Sequence, residues 1–66
     1  MSSLIKIAVD AMGGDNSPTK IIEGIIHRHT TNKNIYFKIF GDEKKISQLI
    51  KNKIDKNCYQ IVNTLN

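Results

Sequence analysis

Residues 10–18 read Asp10-Ala11-Met12-Gly13-Gly14-Asp15-Asn16-Ser17-Pro18, and most of the chain's capacity for chemistry is gathered there. Without a Cβ, Gly13 and Gly14 let the backbone approach a ligand closely. A helix opening just after them would offer free N–H groups to an anion. Asp10 and Asp15 can orient a hydroxyl, a water or a metal ion, or can hydrogen-bond the amides of their own loop. The stretch matches neither the Gly-x-Gly-x-x-Gly dinucleotide fingerprint nor the phosphate loop ending in Gly-Lys-Ser/Thr. Two carboxylates also argue against a bare phosphate cradle unless a cation or a basic side chain joins from elsewhere. For a Gly-Gly-Asp turn standing alone, a purely structural role is the commoner one.

The other reactive residue types offer less. His27 and His29 lie two apart near a predicted helix end, so they point about 200° apart and cannot hold one metal through one face. They are expected as a solvated pair near the helix C-terminus, where cations are favoured. Cys58 is the only cysteine, which excludes an internal disulfide and a Cys-rich zinc site. It is expected at the start of a strand as a small buried hydrophobe rather than a nucleophile. No metal site and no cofactor is expected. Residues 43–56 are basic and amphipathic, as in helices that lie on membranes, but an isoleucine stripe packed on a sheet with lysines in water explains them more simply. Tyr36, Phe37, Phe40 and Tyr59 fall at strand positions and make no base-stacking platform.

The elements that must position the 10–18 turn are legible. Leu4 to Val9 is short, β-branched and nearly continuous in apolar character, which predicts a strand buried on both faces. Ser17 is the predicted N-cap of a helix with Pro18 at its first position. Ile21, Ile22, Ile25 and Ile26 form that helix's apolar stripe. Gly24 inside it costs about 1 kcal/mol against alanine, and is expected to mark close packing against a neighbour. Ile35 to Phe40 predicts a second strand with Ile35, Phe37 and Ile39 on one face. Asp42 then caps a helix carrying Ile46, Leu49, Ile50 and Ile54, broken at Lys56-Asn57. Tyr59 to Val62 predicts a third strand.

Strand, helix, strand, helix, strand at this spacing predicts an α/β fold: three parallel strands with two right-handed crossover helices on one face. That face would gather Ile5, Ile7, Val9, Ile35, Phe37, Ile39 and Ile61. The other would carry Leu4, Lys6, Ala8, Tyr36, Lys38, Phe40, Cys58, Gln60 and Val62, with nothing in the chain to cover it. Parallel sheets normally have both faces covered, so the chain reads as part of a larger three-layer αβα, Rossmann-like sandwich.

Composition narrows the function classes. At 66 residues the chain allows one domain at most, and chains of this size bury only ~60% of their unfolded surface. The net charge is +4, but nine of the ten cationic residues are lysines spread along the chain. Isoleucine, lysine and asparagine make up 28 of the 66 residues, a bias that an AT-rich genome produces. Nucleic-acid modules cluster Arg, Lys and aromatic residues, so no nucleic-acid partner is expected. No apolar run approaches the ~20 residues of a membrane span, and no signal-peptide pattern opens the chain. The expectation is a cytoplasmic location.

The stretch Ile7-Ala8-Val9-Asp10-Ala11-Met12-Gly13-Gly14-Asp15-Asn16-Ser17-Pro18 resembles the opening of bacterial phosphate acyltransferases, the acyl-carrier-protein:phosphate transacylases of phospholipid synthesis. The resemblance continues through Ile21-Ile22-Glu23-Gly24-Ile25, Phe40-Gly41-Asp42 and Ile46, and fades after Val62. It spans nearly the whole chain but roughly the first fifth of a full-length member. It implies transfer of a fatty acyl group from acyl carrier protein to inorganic phosphate, giving an acyl phosphate. It further implies a homodimer working with a membrane glycerol-3-phosphate acyltransferase. By motif match, Asp10, Gly13, Gly14, Asp15 and Asn16 would border the phosphate cleft, with no catalytic role assigned to any of them. Residues 1–66 are then expected to be an N-terminal piece from a truncated or split gene, with no complete domain, inactive and poorly ordered alone. The alternative is a small free-standing module that binds an anion or nucleotide through the Gly13-Gly14 loop.

Overall fold

The alternating residues Ile35, Phe37 and Ile39 make the middle of a sheet in the computed structural model, which describes residues 4–12 and 18–64. The elements are β1 (Ile5–Asp10), α1 (Thr19–Thr31), β2 (Ile35–Gly41), α2 (Glu43–Ile50), a 3-10 turn (Lys56–Cys58) and β3 (Tyr59–Asn63). The strand order is β1-β2-β3 and both pairings are parallel. Register sets Ile5 beside Ile35, Ile7 beside Phe37, Val9 beside Ile39 and Ile39 beside Ile61. The predicted inner face is therefore assembled as expected.

The core gathers over β2. Ile35, Phe37 and Ile39 are buried there with Ile22 and Ile25 of α1, Ile46 and Ile50 of α2, and Ala11, Ile54 and Cys58 from the connections. Both helices thus lie on one face, as right-handed crossovers progressing in one direction require. β1 departs from expectation. It is not buried on both faces: Ile5 is 54% and Ile7 38% exposed, though each points to the helix side. An edge strand has a neighbour on one side only, and the helices centre on the strand that has two.

The structure also departs from expectation at His29, the second helix, Cys58 and Gly24. His29 is not solvated but 1% exposed; it continues the stripe of Ile22 and Ile25 by one more helical turn, while His27 stays in solvent. The second helix stops at Ile50 instead of running through Ile54, because Asn52 adopts φ 62°. Asparagine tolerates that left-handed region better than most residues. The Lys53 N–H then donates to the Ile50 carbonyl at 2.7 Å, and a turn rather than a helix carries Ile54 into the core. Cys58 is buried as expected, but it belongs to the 3-10 turn and packs in the core, with Sγ 3.8 Å from the Lys33 carbonyl, not on the sheet's other face.

At the start of α1, Pro18 stands one position before the first assigned helical residue. Its angles are already helical (φ −89°, ψ −1°), and its carbonyl accepts the Ile22 N–H at 2.9 Å. Ser17, the predicted cap, lies outside the described residues. Gly24 does not mark a close approach, since a Cβ there would meet nothing within 4 Å. The substitution Gly24→Ala is therefore expected to stabilise the chain by about 0.5–1 kcal/mol through helix propensity and a less mobile unfolded state. A rise in the urea midpoint followed by far-UV circular dichroism checks this.

The opposite face of the sheet carries no helix among the described residues. A hollow of about 470 Å³ lies on it, lined by Leu4, Lys6, Ala8, Tyr36 and Lys38 among others. Lys38 holds its Nζ 5.7 Å from the Phe40 ring centroid, within cation–π range.

Candidate functional site

The carboxyl ends of the three strands lie side by side. Register pairs Asp10 with Phe40 and Gly41 with Asn63. In open α/β sheets this is the edge where ligands bind. The ladder runs one residue beyond β1, the Ala11 N–H donating to the Phe40 carbonyl at 2.8 Å, and Ala11 is buried. The chain then turns outward. Met12 is 59% exposed, and its N–H donates to Asp10 Oδ1 at 2.9 Å. That is an Asx turn, so one oxygen of the exposed Asp10 carboxylate shapes the loop's own backbone. Of the five predicted cleft residues, Asp10 is placed at this edge; Gly13, Gly14, Asp15 and Asn16 lie outside the described residues.

The neighbouring turn, from β2 into α2, shows what fixes the height of the first. A Cβ on Gly41 would stand 2.8 Å from Ile46 Cδ1 and 3.1 Å from the Ala11 carbonyl oxygen. Glycine here lets the two strand-to-helix turns press together. Asp42 accepts the N–H groups of Lys44 and Lys45 at 3.1 and 3.4 Å, as the sequence predicted for an N-cap. Asn63 Oδ1 accepts the Glu43 N–H at 3.3 Å, and the Thr64 N–H donates to the Gly41 carbonyl at 3.0 Å. Sequence reading missed Asn63. Twenty residues separate it from Glu43, and no local pattern announces such a bond.

Among the described residues the two helix starts differ in the side-chain acceptors they carry. The first amides of α2 are met by Asp42 and Asn63. At α1 the capping position is Pro18, which has no side-chain acceptor, and the first turn holds no acidic residue. Its positive dipole end is thus uncompensated by side chains of its own first turn. Among the described residues no three His, Cys, Asp or Glu side chains gather as a metal site, and no helix is long and apolar enough to cross a membrane.

A parallel βαβαβ unit defines an α/β class that many enzymes share. The family model described as fatty acid synthesis protein matches residues 5–66. The phosphate acyltransferase of Pelagibacter ubique (strain HTCC1062) is 53% identical over 64 residues, covering 97% of this chain and 19% of the relative. That of Lactobacillus gasseri is 46% identical over 59 residues, covering 89% of this chain and 17% of the relative. That of Oenococcus oeni is 40% identical over 64 residues, covering 97% and 18%. The chain belongs to the phosphate acyltransferase family. It spans less than a fifth of the length of these relatives.

Proposed function

We propose that residues 1–66 supply the N-terminal part of an enzyme that transfers a fatty acyl group from acyl carrier protein to inorganic phosphate, for phospholipid synthesis. A phosphate oxygen attacks the thioester carbonyl, the carbon–sulfur bond breaks, and the carrier leaves as a thiol once its sulfur is protonated; the acyl phosphate is the product. Such chemistry needs donors that hold phosphate beside the carbonyl and stabilise the developing oxyanion. The observation that carries the reading is the family match over residues 5–66. It is supported by the turn after Asp10, which leads to a helix start without a side-chain acceptor at its capping residue. In this reading Asp10, Gly13, Gly14, Asp15 and Asn16 border the phosphate side of the cleft, and the acyl pocket comes from the rest of the enzyme. The complete enzyme is cytoplasmic and dimeric and hands its product to a membrane glycerol-3-phosphate acyltransferase.

The test replaces the aligned first part of the Pelagibacter ubique relative with this chain. The chimera is expected to form acyl phosphate from acyl carrier protein and phosphate, and the 66 residues alone to form none. Tight binding of phosphate or nucleotide by the isolated chain would favour a free-standing module instead. In the chimera, Asp10→Ala frees the turn and should lower kcat/KM by ~10- to 100-fold, the scale of a misplaced binding group. Asp10→Asn keeps the Oδ1 acceptor for Met12 and should stay within about threefold, since Asn makes the same Asx turn. Equal loss in both variants would assign the carboxylate's charge, rather than the turn, to the reaction.

A further inference from the structure

Among the described residues the exposed large hydrophobics are Leu4, Ile5, Ile7 and Met12, all in β1 or within two residues of it. The strand carries Ile5, Ile7 and Val9 on the helix side and Lys6 and Ala8, with Leu4 before them, on the other, yet it lies at the sheet edge with β2 as its one neighbour among the described residues. Its outer edge is also open. Ile5 and Ala11 donate their N–H groups to the carbonyls of Asn34 and Phe40, and a parallel ladder alternates. The amides of Lys6 and Ala8 therefore point away from β2. An apolar strand with a long unpaired edge is a template for another strand.

We infer that the outer edge of β1 is the seat of a further parallel strand, supplied by the four-fifths of the relatives' length that lies beyond this chain. Handedness decides how that strand arrives. From β1 to β2 to β3 the chain steps one way, and its right-handed crossovers put α1 and α2 on one face. A connection that leaves β3 and returns to the far side of β1 steps the other way. Its right-handed crossover must pass over the opposite face. One crossover helix would thus cover Leu4, Ala8 and Tyr36 around the 470 Å³ hollow while its strand pairs β1. The junction between β1 and the new strand becomes the point where strand order reverses, the crevice where such sheets bind ligands. Asp10 stands on one side of that crevice, and the end of the new strand forms the other.

Amide hydrogen exchange reads this directly, without an activity assay. In the isolated chain the amides of Lys6 and Ala8 should exchange fast and those of Ile7 and Val9 more slowly. In the chimera Lys6 and Ala8 should slow by on the order of a hundredfold and join their neighbours. The substitution Ala8→Pro gives a second readout, because proline is tolerated where the N–H faces outward on an edge. It should leave the far-UV spectrum of the isolated chain unchanged and lower the chimera's melting temperature by roughly 5–10 °C. Exchange at Lys6 and Ala8 that stays fast in the chimera would overturn the inference. So would sedimentation of the isolated chain as a dimer that Ala8→Pro splits, which would make a second copy the occupant of the edge.

Discussion

Replacing Gly41 with alanine is expected to destabilise the fold by about 1–3 kcal/mol, the usual cost of forcing extra volume into a packed site. The added Cβ would stand 2.8 Å from Ile46 Cδ1, 3.1 Å from the Ala11 oxygen and 3.3 Å from the Ala11 carbon. A side-chain tip normally yields cheaply, but Ile46 is fully buried in the core cluster, where interiors are close-packed. The Ala11 carbonyl is backbone and follows an N–H bonded to Phe40. Relief therefore requires the end of β1 to lift away from β2, which carries the Asx turn at Asp10 with it. Chemical denaturation of the chimera checks the stability loss. Its phosphate KM should rise alongside, because the displaced segment is the one proposed to face phosphate. Loss of stability with an unchanged KM would separate Gly41 from the site.

His29 should divide sharply by replacement. The ring is 1% exposed, with Nε2 accepting the Asp55 N–H at 3.3 Å, 3.3 Å from Lys33 Nζ and 3.8 Å from the Asp55 carboxylate. Nδ1 is buried without a hydrogen-bond partner. His29→Ala leaves a cavity beneath α1 and removes the link to the segment before the 3-10 turn, at an expected cost of ~2–4 kcal/mol. His29→Leu fills most of the volume and removes the unpartnered nitrogen. Lys33 and Asp55 are exposed, and water can take over their bonds. Leucine should therefore cost about 1–2 kcal/mol less than alanine, because it keeps most of the packing and loses only the acceptor for the Asp55 N–H and the Lys33 contact. Urea titration of the two variants decides between packing and hydrogen bonding as the reason for the histidine. If leucine is as damaging as alanine, the bonds to Lys33 and Asp55 carry the site.

Local pattern made much of this legible. Period-two alternation located β2 and its face, and the Gly41-Asp42 pair marked both a strand end and a helix cap. The spacing of Ile22 and Ile25 also pointed to residue 29, but residue type outweighed position there and His29 was read as solvated. Helix periodicity misled at Ile54, whose place in the stripe is reached through the left-handed residue Asn52. Apolar composition misled at β1, because composition reports the surroundings a strand is suited to and not whether the neighbours are present. At the candidate site, the Asp10 turn was foreseeable from side-chain chemistry. The Asn63–Glu43 bond was not, since it depends on the register of β3 against β2.

The open position of β1 also bears on the order in which the structure comes apart. β2 is held by two ladders and by residues of both helices, whereas β1 is held by one ladder and leaves Ile5 and Ile7 wet. Free energies of local opening follow such differences in buried contact. Fraying should therefore start at the N-terminal strand while the Ile39, Ile46 and Ile50 cluster is still intact. Because Asp10 and its turn ride on that strand, binding competence in a chain left with this edge unpaired would vanish well before helical content did.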